Sequence, residues 1–486
     1  MTDLLIHDAF VLTVDDQNTV FKEGTVIVDE DEIITVRSTE PPDRSADADR
    51  VIDGTGKIVM PGLINAHAHL EPSALRGLYS DIGYEELLVD MIVLCRQLVD
   101  TELDYLAEAG FKLAALNFIR SGITTVSTMD IRPEIGVPVL GEAGMRATMG
   151  PMITDLFWDE PAGRQLDRAE SFVRAYHDTY DGRVRGMFCP HDDITLTRDM
   201  WESVAELASG YDVRVHTHLL EDSISNLNAR VNDGEDSLAL LEDVGLLNDR
   251  LVVAHFRSAD EEDVHRIAET GASIVHCPSV FAYWSPDETC DWMPLPSLRE
   301  RDATIGLGLD DHYFHDSFDM FGEARQTRLM ANHEWTANQI QSPELIRMLT
   351  SKGAAALGID DHTGSLEPGK KSDLIVLDVD DPCCKPLTNV SSLVTNMVTR
   401  QDVELVVVDG TVLFEDDVVR TMDGESVVRE AERALQRYEN ESGWDISITG
   451  VSRPDVLSTI RDLPKRGPAH LIGRLAYQKV KETFTF

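Results

Sequence analysis

The chain has 486 residues, of which 87 are Asp or Glu and 43 are Lys or Arg, for a formal net charge of -44. So negative a surface repels nucleic acid and anionic membrane, and both are excluded as partners. The acids are spread along the chain and 42% of residues are hydrophobic, so an acidic tail or a disordered chain is set aside as well.

Only ten residues are lysine. An acidic surface of this kind suits a halophile, because concentrated salt shortens the screening length and removes the cost of self-repulsion. The length calls for a large domain and a smaller one. Cys95, Cys189, Cys277, Cys290, Cys383 and Cys384 show no regular spacing, which points to a reducing cytoplasm. The opening "MTDLLIHDAFVLTVDDQ" has neither the basic region nor the apolar run of a leader, and no segment reaches membrane-spanning length.

In chain order, "LLIHDAFVLTVD", "GTVIVDEDEIITVRS" and "RVIDGTGKIVMPG" alternate β-branched runs with turns and predict antiparallel strands within residues 1–60. A helical stretch, "TELDYLAEAGFKLAALNFIRSG", follows. Short apolar runs then recur between helical segments: "ITTVSTM", "VRGMFCP", "DVRVHTH", "RLVVAHF", "GASIVHCP" and "ATIGLGLD". This alternation over residues 61–355 is the pattern of a parallel (β/α)8 barrel of the TIM type, an α/β fold. Strand texture returns in "KSDLIVLDVD" and "VELVVVDGTVLFEDD", so residues 356–425 are expected to join residues 1–60 in one small β-sandwich domain. Residues 426–486 read as a C-terminal extension that starts with an amphipathic helix.

The polar residues on the barrel strands carry the chemistry. His67 with His69, His191, His218 with Glu221, His255, His276 and Asp310 each stand at the C-terminal end of a candidate strand, the end that forms a barrel's active-site mouth. Strand residues two apart point the same way, so His67 and His69 can hold one ion together. His216 shares a face with His218, but a supporting or packing role is expected of it. Glu221 lies three residues past His218, close enough to move a proton but not to ligate. Of Asp310 and Asp311 only one should reach an ion, and Asp310 follows the alternation. No lysine lies between Lys112 and Lys352, so no middle strand can supply a carbamylated bridging lysine, and a single metal is expected. His67, His69, His218 and Asp310 leave a position for water, which suits zinc and also admits iron(II).

These motifs resemble the amidohydrolase superfamily, in the branch that holds the methylthioadenosine and S-adenosylhomocysteine deaminases and the triazine hydrolases. The resemblance runs from about Leu4 to Asp417 and is carried by "MPGLINAHAH", "ALRG", "SGITTVSTM", "GMRA", "CPHDDITLTRDM", "HLLE", "AHF", "HCP" and "DSFDMFGEAR", in that order. It implies His67, His69, His218 and Asp310 as metal ligands, Glu221 as proton shuttle, His255 as the imidazole that orients water, and His191 as a substrate contact. Arg146 in "GMRA", Trp284 and Glu71 complete the candidate substrate contacts. The chain departs from the family where "HCPSVFAYW" places Val280 and Phe281 in positions otherwise held by a Ser-Asn pair. The implied activity is hydrolytic deamination of an amino-substituted N-heterocycle: a purine, pterin or triazine. Chlorohydrolysis or ring amide hydrolysis on the same site is the alternative, and a non-enzymatic binding protein is a third reading. A homo-oligomer is expected by analogy.

Overall fold

Strands from the two ends of the chain meet in one sheet. The computed structural model describes residues 2–41, 43, 48–78, 91, 94–95, 97–99, 102–154, 160–221, 225, 236–283, 292–312, 315, 317–334, 340–447 and 450–452. From the N-terminal part come β1 (Thr2–Leu12), β2 (Val20–Asp29), β3 (Glu32–Ser38), β4 (Ala48–Asp53) and β5 (Lys57–Pro61). The core strands that follow are β6 (Leu63–Ala68), β7 (Ile123–Asp130), β8 (Arg146–Ile153), β9 (Val184–Gly186), β10 (Cys189–Pro190), β11 (Val215–Leu219), β12 (Leu251–His255), β13 (Ser273–His276) and β14 (Thr304–Leu307). The chain then returns with β15 (Leu374–Asp378), β16 (Val403–Val408), β17 (Thr411–Glu415) and β18 (Val418–Val419).

The terminal strands form a nine-stranded sheet in the order β18-β17-β16-β15-β5-β1-β2-β3, with β4 alongside β1. The expected sandwich is therefore one continuous hydrogen-bonded sheet, because β15 pairs antiparallel with β5, Ile375 opposite Met60, and joins the two blocks. Its middle strands bury both faces. Ile58, Met60, Ile375 and Leu377 enter the main core, while Val59, Leu374 and Val376 pack with Ile6, Val26 and Val28 in a second core. This is the two-residue period of a strand covered on each side.

The remaining strands form two parallel sheets, β10-β8-β7-β6 with β9 beside β8, and β11-β12-β13-β14. Parallel pairing fits their almost wholly buried sequences, with helices between successive strands. Isolated parallel bridges join Phe188 to Val215, Asp192 to His218 and Ala68 to Asp310. The polar residues singled out above stand at or just past the C-terminal ends of β6, β10, β11, β12, β13 and β14.

The helix Gly424–Ser442 begins the extension. Its Ala431, Ala434 and Tyr438 share a core with Ala74 and Leu75 of the turn Glu71–Leu75, so it supports the segment just past the first histidine pair. Beyond residue 452 the extension lies outside the described residues.

Candidate active site

The strand β6 and the residue after it deliver His67 and His69, β11 delivers His218, β12 ends in His255, and Asp310 follows β14. Their functional atoms converge. Nε2 of His218 lies 3.2 Å from Nε2 of His67 and 3.3 Å from Nε2 of His69. Asp310 Oδ1 lies 3.3 Å from His67 Nε2 and 3.5 Å from His69 Nε2. Four donors held about 2.0–2.1 Å from one centre in a tetrahedron stand roughly 3.3–3.4 Å apart, and these four separations are close to that spacing.

The far side of each imidazole is anchored. His69 Nδ1 donates to the Met129 carbonyl at 2.6 Å and His218 Nδ1 to the His191 carbonyl at 2.6 Å. His67 Nδ1 lies 3.0 Å from His216 Nε2, and His216 Nδ1 lies 3.0 Å from Ser127 Oγ. Hydrogen bonds of this kind fix the tautomer that turns an Nε2 lone pair inward. His216 thus supports His67 from behind, as the sequence suggested.

Electrostatics agree with the geometry. Burial drives the pKa of His67 and His218 well below the ordinary value, with neighbouring imidazoles adding to the effect, so both rings stay neutral. Burial, then Asp311 and Glu221, pushes Asp310 well above the usual carboxylate range. Neutral imidazoles around a carboxylate that resists bare ionisation make a donor set that a dication satisfies.

His255 differs from the other three. Its ring stacks on His218 at 5.2 Å and 9°, and its Nε2 faces the second oxygen of Asp310 at 3.6 Å. Its Nδ1 is buried with no hydrogen-bond partner among the described residues. Its backbone is left-handed, φ 78°, as is that of Phe256 at 52°, Asp310 at 53° and Leu220 at 50°. Strand ends in this costly region mark where the chain turns sharply into the mouth.

The other expected contacts divide. His191 lies at the mouth, its ring 4.8 Å from His218 and its Nδ1 2.6 Å from Asp192 Oδ2. Burial opposes its charge, yet Asp192, Glu221 and Asp311 hold its pKa above the ordinary value. Glu221 follows β11 and is half-buried, near enough to Asp310 and His191 to shift both. Trp284 lies outside the described residues.

Two expectations are corrected. Glu71 is 2% exposed, and its carboxylate accepts the backbone N–H groups of Ile131, at 2.9 Å, and Arg132. Asp130 accepts from the N–H groups of Leu70 and Glu71 in return, at 2.8 and 3.1 Å. The two acids lock the turn after β6 to the end of β7, and this spends Glu71 on backbone instead of substrate. Arg146 opens β8 and so stands about 23 Å along the strand from the mouth. Its guanidinium pairs with Asp373, 2.5 Å from Nε, and with Asp409, tying the core strands to the nine-stranded sheet.

Arg257 is the residue at the mouth that sequence reasoning passed over. Its signal was an arginine two positions past a strand-end histidine.

The amidohydrolase family model matches residues 58–413. A 5'-deoxyadenosine deaminase from Methanosarcina mazei is 29% identical over 440 residues, covering 90% of this chain and 98% of that protein. A 5-methylthioadenosine/S-adenosylhomocysteine deaminase from Pelotomaculum thermopropionicum is 28% identical over 442 residues, covering 90% and 100%. Among solved structures, a zinc-bound adenosine deaminase from Xanthomonas campestris superposes with a TM-score of 0.82 at 27% identity, covering 90% of this chain and 99% of that one. With its strand-end histidines and aspartate in one cluster and most of its length matched, the chain belongs to the amidohydrolase family.

Proposed function

We propose that this protein is a mononuclear metal-dependent aminohydrolase that replaces the exocyclic amino group of an N-heterocycle with oxygen and releases ammonia. The observation that carries the reading is one cluster in which His67 and His69 face one oxygen of Asp310, His218 Nε2 stands 3.2 and 3.3 Å from their Nε2 atoms, and His255 faces the other oxygen. The deaminase names of the relatives support a purine of the adenine type ahead of pterin or triazine.

When bound, a divalent ion, zinc first and iron(II) second, supplies a Lewis acid that lowers the pKa of water toward neutrality. His67, His69, His218 and Asp310 would hold it. Asp310 Oδ2 and His255 Nε2 face each other so that an attacking water can hydrogen-bond to both and be aimed at the amino-bearing carbon. Glu221 donates a proton to the adjacent ring nitrogen as the C–O bond forms, which spares the ring a negative charge. The proton that Asp310 takes from the attacking water passes to the amino nitrogen, the hydroxyl proton of the tetrahedral centre returns to Glu221, the C–N bond breaks, and ammonia leaves a ring carbonyl behind. His191 contacts the bound ring from the strand end next to His218.

Residues 61–355 are read as one barrel, with the two parallel sheets as its halves. Residues 1–60 and 356–425 form the small domain, and residues 426–486 the extension. No helix among the described residues is long and apolar enough to cross a membrane. The acidic composition supports a protein of concentrated salt, and a cytoplasmic homo-oligomer is proposed with it by analogy.

The test is ammonia release by metal-loaded protein in molar KCl from adenosine, 5'-deoxyadenosine, methylthioadenosine, guanine, pterin, cytosine and aminotriazines. Glu221→Gln is expected to lower the rate on the accepted ring by about 10²- to 10⁴-fold while metal content stays the same. Full ammonia release by the variant, or halide release or ring opening in place of ammonia, sinks the reading.

A further inference from the structure

Arg257 is 4% exposed and sits two residues beyond His255, just past the left-handed turn of His255 and Phe256. A guanidinium this deep is costly unless it is paired. No carboxylate pairs with it among the described residues, in a chain with 87 acids to draw on. Its Nη1 donates to the Glu221 carbonyl oxygen over a long 3.4 Å, and its buried Nε finds no acceptor. Its Cζ lies 3.8 Å from the centre of the Phe281 ring, a cation–π contact that holds the fork but satisfies no N–H.

Phe281 in turn stands edge-on to His255, ring centres 4.8 Å apart at 87°. These two contacts therefore link a guanidinium with an unpaired Nε to the imidazole beside Asp310. An arginine held face-on by an aromatic ring that itself meets His255 has donors to spare for an acceptor on the ring being transformed.

We propose that Arg257 takes an oxygen acceptor borne by the substrate ring, an oxo group or a ring carboxylate, and so determines which heterocycles the site accepts. The inference rests on the aminohydrolase reading. It supplies a counter-charge from the substrate, and it accounts for the lack of a pairing acid among the described residues. It also shifts preference within the amino-heterocycles toward rings that carry oxygen.

The experiment measures kcat/KM for ammonia release from two pairs of compounds, guanine with 2-aminopurine and pterin-6-carboxylate with pterin. Adenosine is run beside them. Metal-loaded wild type, Arg257→Met and Arg257→Lys are compared, each checked for metal content and melting temperature. Wild type is expected to prefer the oxygen-bearing member of at least one pair, and the pair that responds separates an oxo group from a carboxylate.

Arg257→Met should shrink that preference by about 10- to 100-fold, with little change for the oxygen-poor partner. Arg257→Lys keeps the charge and loses the planar fork, so it should fall between the two, and it gives the answer if the methionine variant does not fold. A purely bracing arginine lowers both members of a pair alike, and that result overturns the inference, as does a wild type without preference. Ammonia from adenosine with no discrimination in either pair overturns the role of Arg257 alone. Silence from every compound overturns the aminohydrolase reading and this inference with it.

Discussion

Asp310 Oδ2 lies 3.6 Å from Nε2 of His255, while Oδ1 of the same carboxylate faces His67 and His69 at 3.3 and 3.5 Å. One carboxylate thus faces the first histidine pair with one oxygen and His255 with the other. The separation from His255 is too long for a hydrogen bond, yet a water oxygen can sit within reach of both atoms. His67, His69 and His218 each have a partner at Nδ1, and His255 has none among the described residues, so the fourth ring is not built like the other three.

Substitutions at these rings should therefore separate metal loss from rate loss. His255→Asn is expected to keep a full metal equivalent and to lose about 10²- to 10⁴-fold in turnover, whereas His218→Asn loses the metal itself. Metal analysis after dialysis, beside ammonia assays, checks this. A His255→Asn protein that binds no metal would make His255 a ligand and refute the division of roles.

Much of this site was legible because strands alternate and barrel strands put their C-terminal residues in one mouth. His67, His69, His218, His255 and Asp310 needed only those two rules to be drawn together. What stayed hidden depends on partners far away in sequence. Glu71 looks like a mouth acid until the N–H groups of Ile131 and Arg132 claim it, 60 and 61 residues on. The strand β8 escaped the sequence reading because Gly150 and Pro151 sit inside it, and both ordinarily argue against a strand interior. The fold requires the glycine, since a Cβ there would lie 2.1 Å from the Met187 carbonyl oxygen. Without β8, nothing could show that Arg146 starts a strand and faces away from the mouth.

Arg146 is expected to matter for stability and not for substrate. It is 8% exposed between Asp373, 2% exposed, and Asp409. Arg146→Met would leave Asp373 as a buried charge without its cation, at a cost of about 3–5 kcal/mol. Urea unfolding should show that loss, with KM on the accepted ring unchanged. A large rise in KM at unaltered stability would return Arg146 to the substrate site.

A net charge of -44 makes a prediction about salt. Self-repulsion of the folded surface falls as the screening length shrinks from about 10 Å at 0.1 M to about 3 Å at 1 M. The melting temperature should climb through this range in KCl, and most of the gain should come before hydrophobic salting-out takes over. Sodium sulfate matched for ionic strength separates the two effects. A melting temperature indifferent to KCl between 0.1 and 1 M would count against the halophile reading.

Glu323 offers a test with a definite sign in pH. It lies on the helix Met320–Glu334 and is 1% exposed. One oxygen accepts the Ser279 N–H at 3.2 Å, while the other is buried without a partner among the described residues. Burial pushes its pKa up to about 8, against a smaller pull downward from Ser279. A carboxyl raised on folding is favourable while both states are protonated, and that advantage is lost as pH rises from its unfolded value near 4.5 through its folded value. Glu323→Gln keeps an oxygen for Ser279 and cannot ionise. The variant should therefore gain on wild type as pH rises from 5 to 8, by at most about 1.4 kcal/mol per pH unit, and level off above that. Comparing the two proteins cancels the titration of every other group, including the buried imidazoles. Urea unfolding of both at pH 5, 6.5 and 8 decides it, because a stability difference that stays constant across this range means Glu323 is ionised in the fold.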